Sequence, residues 1–125
     1  MKTIFLLPFL LLSLLGAPSA NAESPRAKKI QFENGRTTAV VKGTVQPGKG
    51  EDYFLSVGKG QTVAIRLKSN NKKAAMEIYD KNGLMVNEGS LPDEFEGSYN
   101  SPNELKISVG SGEAKTQYTM EVTLK

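Results

Sequence analysis

From residue 30 onward, apolar and polar residues alternate along the chain with a period of two. Val63, Ile65 and Leu67 are interleaved with Thr62, Ala64 and Arg66, and Leu105, Ile107 and Val109 with Glu104, Lys106 and Ser108. Tyr118, Met120, Val122 and Leu124 repeat the pattern against Thr119, Glu121 and Thr123. Side chains on a strand point alternately to opposite faces, so each such segment buries one face and wets the other. Turn formers separate the segments at short spacing: Asn34-Gly35, Pro47-Gly48, Gly58 with Gly60, Asn70-Asn71, Asn82-Gly83, Pro92-Asp93, Pro102-Asn103 and Ser111-Gly112. Glycine and asparagine tolerate the positive φ of tight turns, and proline pre-sets the first turn position. The pattern predicts strands near 30–33, 37–46, 52–57, 62–68, 75–80, 84–87, 105–109 and 117–124. The stretch 87–103 has few aliphatics and many turn formers, and receives no strand. Many short strands with regular turns predict an all-β chain whose residues 30–125 form one antiparallel β-sandwich domain, of jelly-roll-like or immunoglobulin-like order.

The chain ahead of this domain follows different rules. Lys2 supplies a positive start, an apolar run from Ile4 to Leu15 is broken only by Pro8 and Ser13, and Ala20-Asn21-Ala22 offers the small-x-small site that a signal peptidase cuts. Residues 1–22 therefore read as a cleaved signal peptide. The apolar run, about 12 residues, falls short of the roughly 20 that span a membrane, and no second one follows. Export to the periplasm, without membrane insertion after processing, is the expectation. Residues 23–29 are polar, contain Pro25 and show no period, as in a flexible N-terminal arm.

Composition removes most chemistry. With no histidine and no cysteine, the chain cannot run a Ser-His-Asp or Cys-His relay, and it lacks the usual nitrogen and sulfur ligands of zinc, copper and iron. No disulfide can brace the exported product, so stability must come from a packed core. The expectation is a binding protein, not an enzyme, with no cofactor. The formal charge of +3 drops by one when Lys2 leaves, and the remaining charges of both signs are interspersed. Lys28-Lys29 and Lys72-Lys73 are too short for a nucleic-acid tract.

Several segments carry candidate chemistry. Asp93, Glu94 and Glu96 supply hard oxygen ligands suited to calcium, although no ligand spacing extends beyond them, and a solvated acidic loop is the simpler reading. Paired glycoside-cleaving carboxylates would need the same residues. Gly58-Lys59-Gly60-Gln61 lacks the spacing and following helix of a phosphate-binding loop and reads as a hairpin turn. The loop around Ser111, Gly112 and Lys115 joins the last two strands, and its companion around Lys49 is similar in character. Loops at the end of a sandwich are where such folds bind, so Lys49, Ser111, Gly112 and Lys115 are the candidate partner-binding residues. Among the aromatics, Tyr53, Tyr79 and Tyr118 fall in phase with aliphatic neighbours and are expected inside, with Phe54 and Tyr99 outside.

Three runs carry a resemblance: Phe32-Glu33-Asn34-Gly35-Arg36-Thr37-Thr38-Ala39, then Gly43-Thr44-Val45, then Tyr53-Phe54-Leu55-Ser56-Val57-Gly58-Lys59-Gly60-Gln61-Thr62-Val63. Together with Glu77-Ile78-Tyr79-Asp80-Lys81-Asn82-Gly83 and Tyr118-Thr119-Met120-Glu121-Val122, they resemble the periplasmic inhibitors of goose-type (g-type) lysozyme. They are similar also to the bacterial pre-peptidase C-terminal domain, a β-sandwich module. The first resemblance implies a periplasmic protein whose inter-strand loops occlude a muramidase cleft, with g-type lysozyme as protein partner. The second implies a non-inhibitory cell-envelope module that recognises glycan or protein. The sequence departs from the inhibitors in its last inter-strand loop, which is short and holds Lys115 where they contribute arginines. It also has Pro47-Gly48-Lys49-Gly50 where they carry a tyrosine-bearing turn.

Overall fold

Eight strands, β1 (Lys28–Lys29), β2 (Thr38–Val45), β3 (Gly50–Val57), β4 (Thr62–Ser69), β5 (Ala74–Tyr79), β6 (Glu94–Ser98), β7 (Asn103–Ser111) and β8 (Thr116–Leu124), build the molecule in a computed structural model that describes residues 28–125. The expected signal peptide and residues 23–27 of the arm lie outside the described residues. The strands form two four-stranded sheets of order β1-β3-β7-β5 and β2-β8-β4-β6. Odd-numbered strands fill one sheet and even-numbered strands the other, so every connection passes from sheet to sheet. All ladders are antiparallel except that of β1 with β3, which is parallel.

The period-two alternation maps directly onto the core. Tyr53, Leu55 and Val57 of β3, Val63, Ile65 and Leu67 of β4, Leu105, Ile107 and Val109 of β7, and Tyr118, Met120 and Val122 of β8 are all buried between the sheets. Ala74, Met76 and Ile78 of β5 complete the layer. Burying one face of each sheet against the other supplies the main stabilising term, at about 25 cal/mol per Å² of apolar surface. Across the gap the Tyr53 and Tyr118 hydroxyls hydrogen-bond at 2.6 Å, a polar tie between β3 and β8.

The structure corrects several expectations. Residues 30–33 form no strand: the buried Ile30 donates its N–H to the Phe54 carbonyl at 2.8 Å, and the chain then leaves the sheet for the turn at Gly35. The last two residues of the expected flexible arm are instead the strand β1, paired with Tyr53 and Phe54. Residues 84–87 touch β5 through one isolated bridge, Tyr79 to Met85. The buried Asn87 side chain takes the place of a neighbouring strand there: it accepts from Ile78 N–H at 3.0 Å and donates to the Met76 carbonyl at 3.0 Å. A strand forms at β6, inside the stretch expected to have none; Phe95 and Gly97 face inward and Glu94, Glu96 and Ser98 outward. Tyr79 is half-buried on the outer face rather than in the core, because Met76 and Ile78 set the inward phase of β5. Phe54 and Tyr99, expected outside, are half-buried.

Candidate partner-binding edge

Three connections meet at one end of the sandwich: β2–β3 at 46–49, β4–β5 at 70–73 and β7–β8 at 112–115. Their meeting follows from the register, in which Val45 lies opposite Thr116, Gly50 opposite Gly110, Ser69 opposite Tyr118 and Ala74 opposite Ser111. The Gly48 N–H donates to the Ser111 carbonyl at 3.3 Å, so the turns bearing Lys49 and Lys115 are neighbours. Asn70 and Asn71 fasten the third turn to the start of β8: Asn70 Oδ1 accepts from Gln117 N–H at 3.2 Å, and Asn71 Nδ2 donates to Thr116 Oγ1 at 3.2 Å.

These turns carry Lys49, Lys72, Lys73 and Lys115 against a single carboxylate, Glu113. Lys73 holds Glu113 at 2.8 Å, and that hydrogen bond together with the lysine's charge draws the carboxyl below its ordinary range. Lys72 adopts a positive φ of 60°, a conformation that costs a side-chain-bearing residue of order 1–3 kcal/mol and that glycine would take more readily. Of the sequence candidates, Lys49, Gly112 and Lys115 are exposed on this edge. Ser111 is buried, and its hydroxyl donates to the Ala114 carbonyl at 2.7 Å and lies 3.0 Å from Thr116 Oγ1. It shapes the loop that presents its neighbours. The expected hairpin at 58–61 is an arch, as is the loop that joins the last two strands, since β3 and β4, like β7 and β8, belong to different sheets.

Behind the edge lies a polar cluster that no sequence signal marked. Tyr118 Oη, bonded to Tyr53, is 3.5 Å from Glu51 Oε1, which also meets Lys28 Nζ at 3.1 Å. Burial, then the hydroxyl of Tyr53, pushes the Tyr118 phenol far above its ordinary value. The Lys28 ammonium is raised by its hydrogen bond to Glu51. Gly43 covers the Tyr118 ring, and a Cβ there would stand 2.5 Å from the hydroxyl oxygen.

The acidic candidates fall elsewhere. Glu94 and Glu96 project from the outer face of β6, opposite Arg66 and Ala64, while the Asp93 carbonyl accepts from Leu67 N–H at 2.9 Å. Among the described residues, no three acidic side chains converge in a geometry that could hold a metal ion.

No family model matches the sequence, and no curated protein sequence matches it. Solved structures do match in fold. A periplasmic lysozyme inhibitor of g-type lysozyme from Aeromonas hydrophila superimposes with a TM-score of 0.69 at 16% identity, over 83% of this chain and 100% of that one. A mutant of the corresponding inhibitor from Escherichia coli gives 0.60 at 13% identity, over 82% of this chain and all of its own. The pre-peptidase C-terminal domain of a Bacillus anthracis collagenase gives 0.50 at 15% identity, over 84% of this chain and 100% of that domain. At these identities the likeness establishes the shared sandwich fold, and both resemblances read from the sequence hold at that level.

Proposed function

We propose that this protein is a periplasmic inhibitor of g-type lysozyme that works by inserting its basic edge into the enzyme's cleft. It acts by occlusion and transforms no substrate. The observation that supports this most is the meeting of the Lys49 and Lys115 turns on one edge, in a fold shared with proteins described as inhibitors of that enzyme. Cleavage of glycan strands relies on carboxylates, and lysines delivered into such a cleft form charge-assisted contacts in a poorly solvated site. Lys72 belongs to the same edge, and its unfavourable φ is what a lysine retained for contact would show.

The test is cell-wall lysis by a goose-type lysozyme with the purified protein in molar excess, and a chicken-type enzyme as control. Inhibition of the goose-type enzyme is expected, with the double charge reversal Lys49→Glu/Lys115→Glu raising the inhibition constant by about 10- to 100-fold, roughly 1–3 kcal/mol. Unchanged lysis at large excess overturns the reading.

One observation favours a second reading, an envelope module of the pre-peptidase C-terminal kind. On the outer face of the β1-β3-β7-β5 sheet, Phe54 and Tyr79 flank Lys106 in an open cleft of about 390 Å³, with Lys106 Nζ 5.1 Å from the centre of the Tyr79 ring. Aromatic faces beside polar groups suit a sugar ring. Retention on insoluble peptidoglycan, lost in Phe54→Ala/Tyr79→Ala and unaccompanied by lysozyme inhibition, is the result that would favour this module over the inhibitor.

A further inference from the structure

The outer face of the other sheet holds a second basic feature, which adjoins the edge at Asn70 but draws on different lysines. Lys42 of β2 and Lys68 of β4 both lie directly opposite Thr119 of the central strand β8. The three residues thus form one row across three strands, with the lysines two inter-strand spacings apart, about 10 Å at the backbone. Neither lysine has a carboxylate within ion-pairing distance among the described residues. The adjacent row carries Glu121, but Arg66 stands directly opposite it. The row lines an open cleft of about 510 Å³ that Gly43, Thr44 and Gln117 border.

We propose that this cleft binds a phosphate group. A short threonine between two long lysines makes a cradle: both ammonium groups can swing inward over the Thr119 hydroxyl and approach one centre from three directions. A tetrahedral oxyanion has oxygens to meet each of them, whereas a carboxylate offers two in a plane. Charge points the same way. A phosphate monoester carries about −1.5 to −2 at neutral pH and neutralises both lysines, while a carboxylate leaves one positive. Nothing in this site depends on lysozyme inhibition, because the Lys49 and Lys115 side chains do not line the cleft.

The test is a titration of the isotope-labelled, signal-free chain with inorganic phosphate, followed by amide NMR at constant ionic strength, with chloride as the matched control. Saturable shifts confined to Gly43, Thr44, Lys68 and Thr119 are expected with phosphate and not with chloride. The double variant Lys42→Gln/Lys68→Gln should weaken binding at least 10-fold while inhibiting lysozyme as the parent does, and Lys49→Glu/Lys115→Glu should leave phosphate binding intact. Two further arms identify the source: a hexose phosphate in solution, and vesicles containing phosphatidic acid, whose headgroup is also a phosphate monoester, scored by co-sedimentation. Competition of either with inorganic phosphate supports the site and names its carrier. Linear shifts shared with chloride, or a glutamine variant that titrates like the parent, overturn it.

Discussion

Tyr118 shows how much one side chain can be asked to do. It closes the core from β8, ties the two sheets through Tyr53, and fixes the residue at position 43 as glycine. Gly43→Ala would drive a methyl group onto a buried phenol, and overpacking of this kind costs about 1–3 kcal/mol. A lower urea midpoint with an unchanged slope is the expected signature; an unchanged midpoint would show that the ring moves freely. The raised phenol also links stability to alkaline pH. Because the folded state holds the Tyr118 proton more tightly than the unfolded chain, its contribution is complete below the unfolded tyrosine value near 10 and declines above it, by about 1.4 kcal/mol per pH unit. Between pH 9 and pH 11 the parent should therefore lose about 1.4 kcal/mol more than Tyr118→Phe. Equal losses in the two proteins would remove Tyr118 from the account.

Edge strands create a different problem, since their unpaired backbone groups invite pairing with another chain. At β5 the solution is Asn87, whose side-chain amide mimics a strand's donor and acceptor on Ile78 and Met76. Asn87→Ala leaves a buried N–H and a buried carbonyl without partners and should destabilise by about 1–3 kcal/mol. Thermal unfolding with light scattering checks this, and earlier aggregation should accompany the lower midpoint. The same element explains what the sequence did and did not disclose. Leu84, Met85 and Val86 look like a strand by composition, yet they belong to a covering segment, with Leu84 64% exposed. Strand β6 was illegible because its inward face consists only of Phe95 and Gly97. The long alternating segments were legible because a strand's period of two is imposed by burial on one side, whatever its neighbours. The arches were not: turn residues report a local reversal of the backbone, and the same Gly-rich signal serves a hairpin within a sheet or a crossing between sheets. The candidate loops at Lys49 and Lys115 were found one by one. Their adjacency arises from strand order, which no local pattern encodes.

At the scale of the whole molecule, the charge is unevenly placed. The formal excess is only +3, but four lysines and one carboxylate stand on the three turns at one end. Interspersed in sequence, the lysines are gathered by the fold, and this is why counting along the chain understated the edge. The exposed Lys73–Glu113 pair contributes little to stability, yet it mutes one of the four charges and leaves Lys49, Lys72 and Lys115 to act outward. A field of this kind acts chiefly on the rate of encounter with an acidic cleft, since charges still separated by water feel one another only within a Debye length, about 10 Å at 0.1 M salt. Under the proposed function, the association rate with goose-type lysozyme should fall about 10-fold as salt rises from about 0.02 to 0.2 M. The dissociation rate should change far less, because contacts already formed in the cleft are poorly screened. Glu113→Gln releases Lys73 and should steepen the salt dependence, while Lys49→Gln/Lys115→Gln should flatten it. Association rates measured by surface plasmon resonance across that range decide the matter: a rate indifferent to salt in all three proteins would mean that the basic edge does not guide the encounter.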